Sequence, residues 1–248
     1  MLFIHGMLGS ARYWEGVITL SMGSKRCIAI DLIGFGESPK PEDCDYSTET
    51  QVDAIIRTLD KLGVRQPVTL VGHSMGSIIA LRLATLHPER VSALKLISVP
   101  VYASKQAAQH EIASAGFLPK GMMYGGFAHY LCTHMHSFQK SLLRFVGLLR
   151  KDLPRAVAED AFKHTWYSYS RSMAEVIEKQ TVLKDLSNIR IPTLLLYGAA
   201  DMFVSLDRVK TTARKNTAIT FQSYQGGHQL PLEHPEVVAQ SILEGSYY

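Results

Sequence analysis

The chain has 248 residues, of which 46% are hydrophobic and 19% are charged. This composition is that of a folded globular protein of one α/β domain, and it excludes an intrinsically disordered chain. The net charge of +4 is too small to indicate nucleic-acid binding.

The cysteines and the apolar runs indicate a compartment. Three widely separated cysteines form neither a disulfide framework nor a CxxC metal pair, as is usual in a reducing cytosol. The start MLFIHG lacks the basic region of a signal peptide. No apolar run approaches the roughly 20 residues that span a bilayer. We therefore expect a soluble cytoplasmic protein that does not bind membranes.

Short apolar runs alternate with amphipathic stretches along the chain, a pattern that predicts a mostly parallel sheet with helices on both faces. The predicted strands are Leu2–His5, Arg26–Asp31, Pro67–Gly72, Ala93–Val99, Pro192–Tyr197 and Ala218–Tyr224. The predicted helices are Ala11–Met22, Thr48–Leu62, Met75–Leu86, Leu206–Lys215 and Pro235–Leu243.

The alternation stops between Val99 and Ile191, where the sequence predicts helices such as Phe138–Leu149 and Ala156–Trp166 but no strand. Connections between elements are normally short, so this insertion predicts a lid or cap over a site. We expect a core made of residues 1–99 and 186–248, with a helical cap at 100–185. The whole positive surplus lies between Pro100 and Asp185, with eleven Lys and Arg against seven Asp and Glu.

The segment Gly72-His73-Ser74-Met75-Gly76 carries the clearest chemical signal. It joins an apolar strand to a helix with the pattern G-x-S-x-G, which places the serine on a sharp turn with its hydroxyl exposed. The N–H of Met75 and the start of the helix then lie where an oxyanion would form. Ser74 is therefore a candidate nucleophile.

A serine nucleophile needs a base, and the base needs a carboxylate that orients it. Asp201 follows the apolar strand TLLLYG, and His228 follows the last predicted strand. Ligands bind beyond the carboxyl ends of parallel strands, so both residues are placed to meet Ser74. The order Ser, Asp, His is the one expected for an α/β-hydrolase.

Several segments together resemble the capped, single-domain branch of the α/β-hydrolase superfamily. The resemblance implies that Ser74 is the nucleophile, that His228 is base and then acid, and that Asp201 orients it. It also implies that the N–H of Met7 is a second oxyanion donor, that Asp31 braces a glycine turn, and that neither a metal nor an organic cofactor is needed. The segments are His5-Gly6, DLIGFGES at 31–38, the Ser74 turn, Gly198-Ala199-Ala200-Asp201, Gly227-His228 and His234-Pro235-Glu236.

The sequence departs from this family at its start, because members usually carry two strands ahead of the His-Gly strand. If the strand order of the family holds, the strand Arg26–Asp31 becomes a sheet edge. Unpaired edges invite pairing with another chain, so we expect a homodimer.

Further residues leave alternatives open. His129, Cys132, His134 and His136 either pack within the cap or bind zinc, and cap packing is favoured because a structural zinc site needs four converging ligands. His5 and His73 are assigned to packing or support near the site.

The candidates for the substrate pocket are Trp166, Met123, Phe127 and Leu230. The aromatic and methionine residues of the cap could equally fill the cap's own core. The basic residues Lys140, Arg144, Arg150, Lys151, Arg155 and Lys163 form either a solvated face or a landing site for an acidic partner.

The expected activity is hydrolysis of a small-molecule carboxylic ester or thioester through an acyl-enzyme. The alternatives are an esterase like those that act on pimeloyl-carrier-protein methyl ester, with an acidic carrier protein at the basic cap, a C–C hydrolase, and a ligand receptor that does not hydrolyse. The same fold hosts all of these functions.

Overall fold

The computed structural model describes residues 1–21, 23, 25–114, 126, 128–130, 132–134, 137, 139, 143 and 153–244. Its centre is a six-stranded sheet in the order β2-β1-β3-β4-β5-β6, and every pair of neighbours is parallel. The strands are β1 Leu2–Ile4, β2 Ile28–Ile30, β3 Val68–His73, β4 Val91–Ile97, β5 Thr193–Gly198 and β6 Ile219–Tyr224. All six predicted strands are confirmed.

Helices connect and cover the strands in the described part of the chain. They are α1 Glu15–Ser21, α2 Thr48–Lys61, α3 Met75–Leu86, α4 Lys105–Ser114, α5 Arg155–Asp160, α6 Trp166–Ser172, α7 Val182–Asn188, α8 Leu206–Ala213, α9 Leu230–Glu233 and α10 Pro235–Leu243. Short 3₁₀ turns lie at Ala11–Trp14 and Pro88–Arg90, and a π-helical turn lies at Met173–Glu178. Among the described residues, no helix is both long and apolar enough to cross a membrane.

Two apolar cores lie on opposite faces of the sheet, because alternate side chains of a strand point to opposite faces. Leu2 and Ile4 of β1 belong to one core, which also holds side chains of α2 and α3. Phe3 belongs to the other, together with side chains from the first and last helical segments such as Trp14 and Val238. The layered α/β fold that the pattern predicted is therefore confirmed.

The predicted helix Ala156–Trp166 is confirmed up to Asp160, and its continuation to Trp166 is wrong. The structure has α5, then a turn, then a new helix that begins at Trp166. Thr165 caps this new helix, since its hydroxyl accepts a hydrogen bond from the N–H of Ser168 at 3.2 Å and the Ser168 hydroxyl accepts one from the N–H of Thr165 at 3.0 Å. This capping box starts a helix where the apolar spacing alone suggested a continuous one. The other predicted cap helix, Phe138–Leu149, lies almost entirely outside the described residues.

The segment 100–185, predicted to be a cap and called the cap segment below, contacts the core through α7. Val182 and Leu186 of this helix are buried in the same apolar core as α3. The predicted boundary between cap and core at residue 185 lies inside α7. In the described part of the chain, β2 is an edge strand of the sheet, as the resemblance implied. Pairing of this edge with a second copy stays a prediction.

Asp31, directly after β2, organises the glycine-rich loop that follows. Its carboxylate accepts hydrogen bonds from the N–H groups of Ala11 at 2.6 Å and Glu37 at 2.7 Å. Gly36 has φ +51°, and a Cβ there would lie 2.3 Å from the Asp31 carboxyl group, so only glycine fits. The brace that the resemblance assigned to Asp31 is what the structure contains.

We expect Asp31→Ala to lower the free energy of unfolding by about 3 kcal/mol, because it removes two hydrogen bonds to a charged acceptor and leaves two backbone donors unpaired. Urea denaturation followed by circular dichroism measures this change. Asp53→Ala, at an exposed position of α2, is the matched control and should be within about 0.5 kcal/mol of the wild type. Equal stability of the two variants would contradict the bracing role.

Candidate active site

Ser74 lies in a sharp turn between β3 and α3, with φ +52° and ψ −120°. A non-glycine residue holds such a conformation only when its surroundings impose it, at a cost of about 1–3 kcal/mol. The neighbouring glycines permit the turn. A Cβ at Gly76 would lie 2.3 Å from the carbonyl oxygen of Ile4, and one at Gly72 would lie 2.7 Å from that of Gly76. The turn therefore presses α3 against β1 and raises the Ser74 side chain above the strand ends.

The structure brings Ser74, His228 and Asp201 together in one hydrogen-bonded chain. The Ser74 hydroxyl donates to Nε2 of His228 at 2.9 Å. Nδ1–H of His228 donates to the Asp201 carboxylate, at 2.9 Å from Oδ2 and 3.0 Å from Oδ1. His228 lies 27 positions after Asp201 and 154 positions after Ser74 in the chain. The loops after β5 and β6 deliver Asp201 and His228 to the edge where Ser74 stands.

Asp201 is held in its charged form. Burial raises the pKa of this carboxyl, but hydrogen bonds and charge attraction from His228, with a further hydrogen bond from the N–H of Phe203 at 3.0 Å, outweigh burial and leave the pKa below its ordinary value. A buried carboxylate fixes the ring of its histidine partner and favours the Nδ1–H tautomer. Nε2 is then left unprotonated and can take the Ser74 proton.

The predicted oxyanion donors belong to two loops near Ser74. Met75 is the first residue of α3, so its N–H belongs to the helix N-terminus, where backbone donors are unpaired and the helix dipole favours negative charge. Met7 follows Gly6, and Gly6 packs so closely that a Cβ there would lie 3.2 Å from Cβ of Ser74. The roles of these two N–H groups stay predictions.

A cavity of about 230 Å³ opens above Ser74 and His228. Its described lining is largely apolar, and the apolar side chains come from both core and cap: Met7, Pro100, Ile112, Met173, Ile177 and Phe203. Tyr13, Tyr102 and Gln229 add polar groups. Met173 and Ile177 both belong to the π-helical turn, a distortion that is frequent at functional sites.

Part of the predicted substrate pocket is corrected. Leu230 does not belong to the described lining of this cavity. It is the first residue of α9, and its side chain is completely buried with Phe3 and Val238, in the core on the other face of the sheet from α3. Trp166 is also absent from the cavity lining and packs edge-on against His129, with a ring separation of 5.0 Å. The Met75 side chain, next to Ser74, is buried in the apolar core. Met123 and Phe127 lie outside the described residues.

Sequence reasoning missed most of the cavity lining. Tyr13 and Gln229 lie 216 positions apart, yet the Tyr13 hydroxyl donates to Oε1 of Gln229 at 2.8 Å. Ile112 and Ile177 sit in cap helices whose orientation no local pattern sets. The nearest available signal for Gln229 was its position directly after His228.

His73 supports the loop that carries His228. Its Nε2–H donates to the backbone carbonyl of His228 at 2.8 Å, and its ring stacks on Tyr13 with centroids 4.7 Å apart. Burial, together with the nearby His228, lowers the pKa of His73 to about 3. Burial also lowers the pKa of His5, whose Nε2 accepts a hydrogen bond from the N–H of Leu32 at 3.0 Å. Both histidines are neutral supports, as expected from the sequence.

The described histidines and cysteine of the cap are used in packing. His129 contacts Trp166, the thiol of Cys132 lies 3.3 Å from Nε2 of His164, and His134 stacks on Tyr130. Within the described residues, no group of three His, Cys, Asp or Glu side chains is placed to hold a metal ion. His136 lies outside them.

Two of the six basic cap residues fall on described positions, and both have acidic partners. Arg155 pairs with Glu159 at 2.8 Å, and Lys163 pairs with Asp160 at 2.6 Å and also with Glu37. Lys163 therefore ties the cap to the loop that Asp31 braces. Lys140, Arg144, Arg150 and Lys151 lie outside the described residues, and an acidic carrier protein as partner stays a prediction.

Comparison with known proteins agrees with this fold. The sequence pattern of the alpha/beta hydrolase fold matches residues 1–235, and the chain therefore belongs to that family. The "2-hydroxymuconate semialdehyde hydrolase" of Pseudomonas putida is 28% identical over 230 residues, which cover 90% of this chain and 77% of that protein. The thioesterase domain from the curacin biosynthetic pathway has the same fold, with a TM-score of 0.71 at 23% identity over 98% of this chain and 90% of that one.

A group of longer plant proteins is also similar. The Arabidopsis thaliana protein named "Probable lysophospholipase BODYGUARD 5" is 26% identical over 257 residues, which cover 91% of this chain and 56% of that protein. Among the plant proteins named BODYGUARD that match, the aligned part of this chain covers between 21% and 56% of the plant protein's own length.

We expect the protein to lose stability as the pH falls from 7 to 5, because His73 takes up a proton near pH 6.5 when unfolded but stays neutral when folded. As the pH falls, the free energy of unfolding decreases wherever the unfolded state binds more protons than the folded state. His73 accounts for about 2 kcal/mol of this decrease between pH 7 and 5. Urea denaturation at both pH values measures the loss. His73→Gln, which keeps an amide donor, should show a loss smaller by that amount.

His110→Gln is the matched control, since His110 is exposed on α4, and it should show the wild-type loss. An unchanged pH dependence in His73→Gln would contradict a buried neutral His73.

Proposed function

We propose that this protein is a serine hydrolase that cleaves a carboxylic ester or thioester through an acyl-enzyme. The single observation that carries the proposal is the 2.9 Å hydrogen bond from the Ser74 hydroxyl to Nε2 of His228, whose Nδ1–H is held by Asp201. Nucleophile, base and orienting carboxylate are within hydrogen-bond reach of one another. The membership of an alpha/beta hydrolase family and relatives named as hydrolases support the same reaction type.

In the acylation step, the Ser74 oxygen forms a bond to the carbonyl carbon of the ester while its proton passes to Nε2 of His228. The carbonyl oxygen becomes an oxyanion, and the N–H groups of Met7 and Met75 stabilise it by about 3–4 kcal/mol each. When the tetrahedral intermediate collapses, the bond to the leaving alcohol or thiol breaks, and His228 gives its proton to that leaving group.

In the deacylation step, His228 takes a proton from water as the water oxygen bonds to the acyl carbon. Collapse of the second intermediate breaks the bond to Ser74, which recovers its proton from His228. The products are a carboxylic acid and an alcohol or thiol, and the protein returns to its starting state.

The described cavity lining favours an uncharged acyl group. It contains Ile112, Met173 and Phe203 and no lysine or arginine among the described residues. Burying a carboxylate there would be costly without a partner. A C–C hydrolase that acts on an anionic ring-fission product would need basic residues in its pocket. This lining therefore supports hydrolysis of a neutral ester more than cleavage of a C–C bond.

Ser74→Ala should reduce hydrolysis of p-nitrophenyl butyrate to background, because the variant lacks the hydroxyl that forms the acyl-enzyme. The absorbance of the released p-nitrophenolate gives the rate. Urea denaturation shows that the variant is folded. Ser187→Ala, on the exposed side of α7, is the matched control and should keep the wild-type rate. Full activity in Ser74→Ala would overturn the proposed mechanism.

Asp201→Asn should lower kcat by about three to four orders of magnitude with little change in fold, because an amide no longer holds the Nδ1–H tautomer of His228. Steady-state kinetics with the same ester measures the effect. Asp207→Asn, exposed on α8, should behave as the wild type. A near-wild-type kcat for Asp201→Asn would mean that another carboxylate orients His228.

A further inference from the structure

Gln229 occupies a fixed position beside the reacting groups. It directly follows His228, and both residues line the cavity above Ser74. Its backbone carbonyl accepts hydrogen bonds from the N–H of Leu232 at 2.8 Å and of Glu233 at 3.0 Å, which close the first turn of α9. The backbone of Gln229 is therefore fixed by the start of this helix.

The side-chain amide of Gln229 is held in one orientation. The hydroxyl of Tyr13, a buried residue, donates to Oε1 at 2.8 Å. The Tyr13 ring in turn stacks on His73, and His73 donates to the His228 carbonyl. With Oε1 engaged in this way, the Nε2 group of Gln229 is the part of the amide left to donate, and it has no hydrogen-bond partner among the described residues.

No other side chain of the described cavity lining has a free donor: Nδ1 of His73 lacks a partner, but it is an acceptor because Nε2 carries the proton. Ser74 and His228 bond to each other, and the Tyr102 hydroxyl donates to the carbonyl of Phe203 at 3.2 Å. Most remaining lining side chains are apolar. In such a pocket a single oriented donor fixes how a ligand lies, because a ligand acceptor left without a partner loses its hydrogen bonds to water.

We propose that Gln229 is a specificity-determining residue that donates through Nε2 to an oxygen on the alcohol part of the substrate. The inference rests on the proposed function. His228 must give its proton to the leaving oxygen, so the alcohol part lies beside His228, and Gln229 is the next residue. The substrate class is therefore a carboxylic ester of an alcohol with a hydroxyl or ether oxygen close to the ester bond. Tyr13 acts as a positioning residue through Gln229.

Two esters that differ by one atom test this assignment. The 2-methoxyethyl and n-butyl esters of butanoic acid have nearly the same size, and only the first offers an acceptor oxygen in the alcohol. We measure kcat/KM for both with a pH-stat and compare the ratio between variants, since this comparison cancels the intrinsic reactivity of the two esters. Gln229→Leu should lower the ratio of methoxyethyl to butyl ester by about 3- to 10-fold, the value of one hydrogen bond.

Tyr13→Phe keeps the ring that stacks on His73 and removes only the hydroxyl, so it should lower the same ratio by a smaller factor. Gln240→Leu, at an exposed position of α10, is the matched control and should keep the wild-type ratio. A wild-type ratio in Gln229→Leu, with both esters hydrolysed, would overturn the assignment of Gln229 and leave the hydrolase proposal standing. If the wild type hydrolyses neither these nor p-nitrophenyl esters, the proposed function itself fails.

Discussion

The close approach of α3 to β1 at the Ser74 turn is the constraint on which the rest of the site depends. The helix can start directly after β3 only because Gly72 and Gly76 carry no side chain, since a Cβ at either would lie within 2.7 Å of backbone atoms. The same approach forces Ser74 to φ +52°. The conformational cost is about 1–3 kcal/mol, and burial of α3 between the sheet and its neighbours offsets it. The side chain of Ser74 is thereby held out of the core.

The second requirement is that the loop after β6 holds His228 against Ser74. The Asp201 carboxylate accepts a hydrogen bond from Nδ1–H of His228, and Nε2–H of His73 donates one to the backbone carbonyl of His228. The histidine is thus fixed at two points, by a charged group and by a neutral one. His73 can do this because burial keeps it uncharged, so that it adds no positive charge beside His228.

Polar contacts of Asp160 and Lys163 join the cap segment to the core. Asp160 at the end of α5 accepts a hydrogen bond from the Ser10 hydroxyl at 2.6 Å and pairs with Lys163, which also reaches Glu37. The apolar wall of the cavity is shared in the same way, with Phe203 from the core and Met173 and Ile177 from the cap segment. The described cavity is therefore formed by segments that are distant in the chain.

The sequence by itself determined the order of strands along the chain, the nucleophile turn and all three residues of the Ser74, His228 and Asp201 chain. These follow from local causes: apolar runs, glycines at fixed spacing, and polar residues directly after strands. Only the tertiary structure decided the cavity lining. Leu230 is adjacent to the site in sequence but turns into the opposite core, while Tyr13 reaches Gln229 across 216 positions. The helix break at Thr165 likewise depended on a capping geometry that apolar spacing does not encode. Side-chain direction is set by how distant elements pack, and no local pattern in the sequence carries that information.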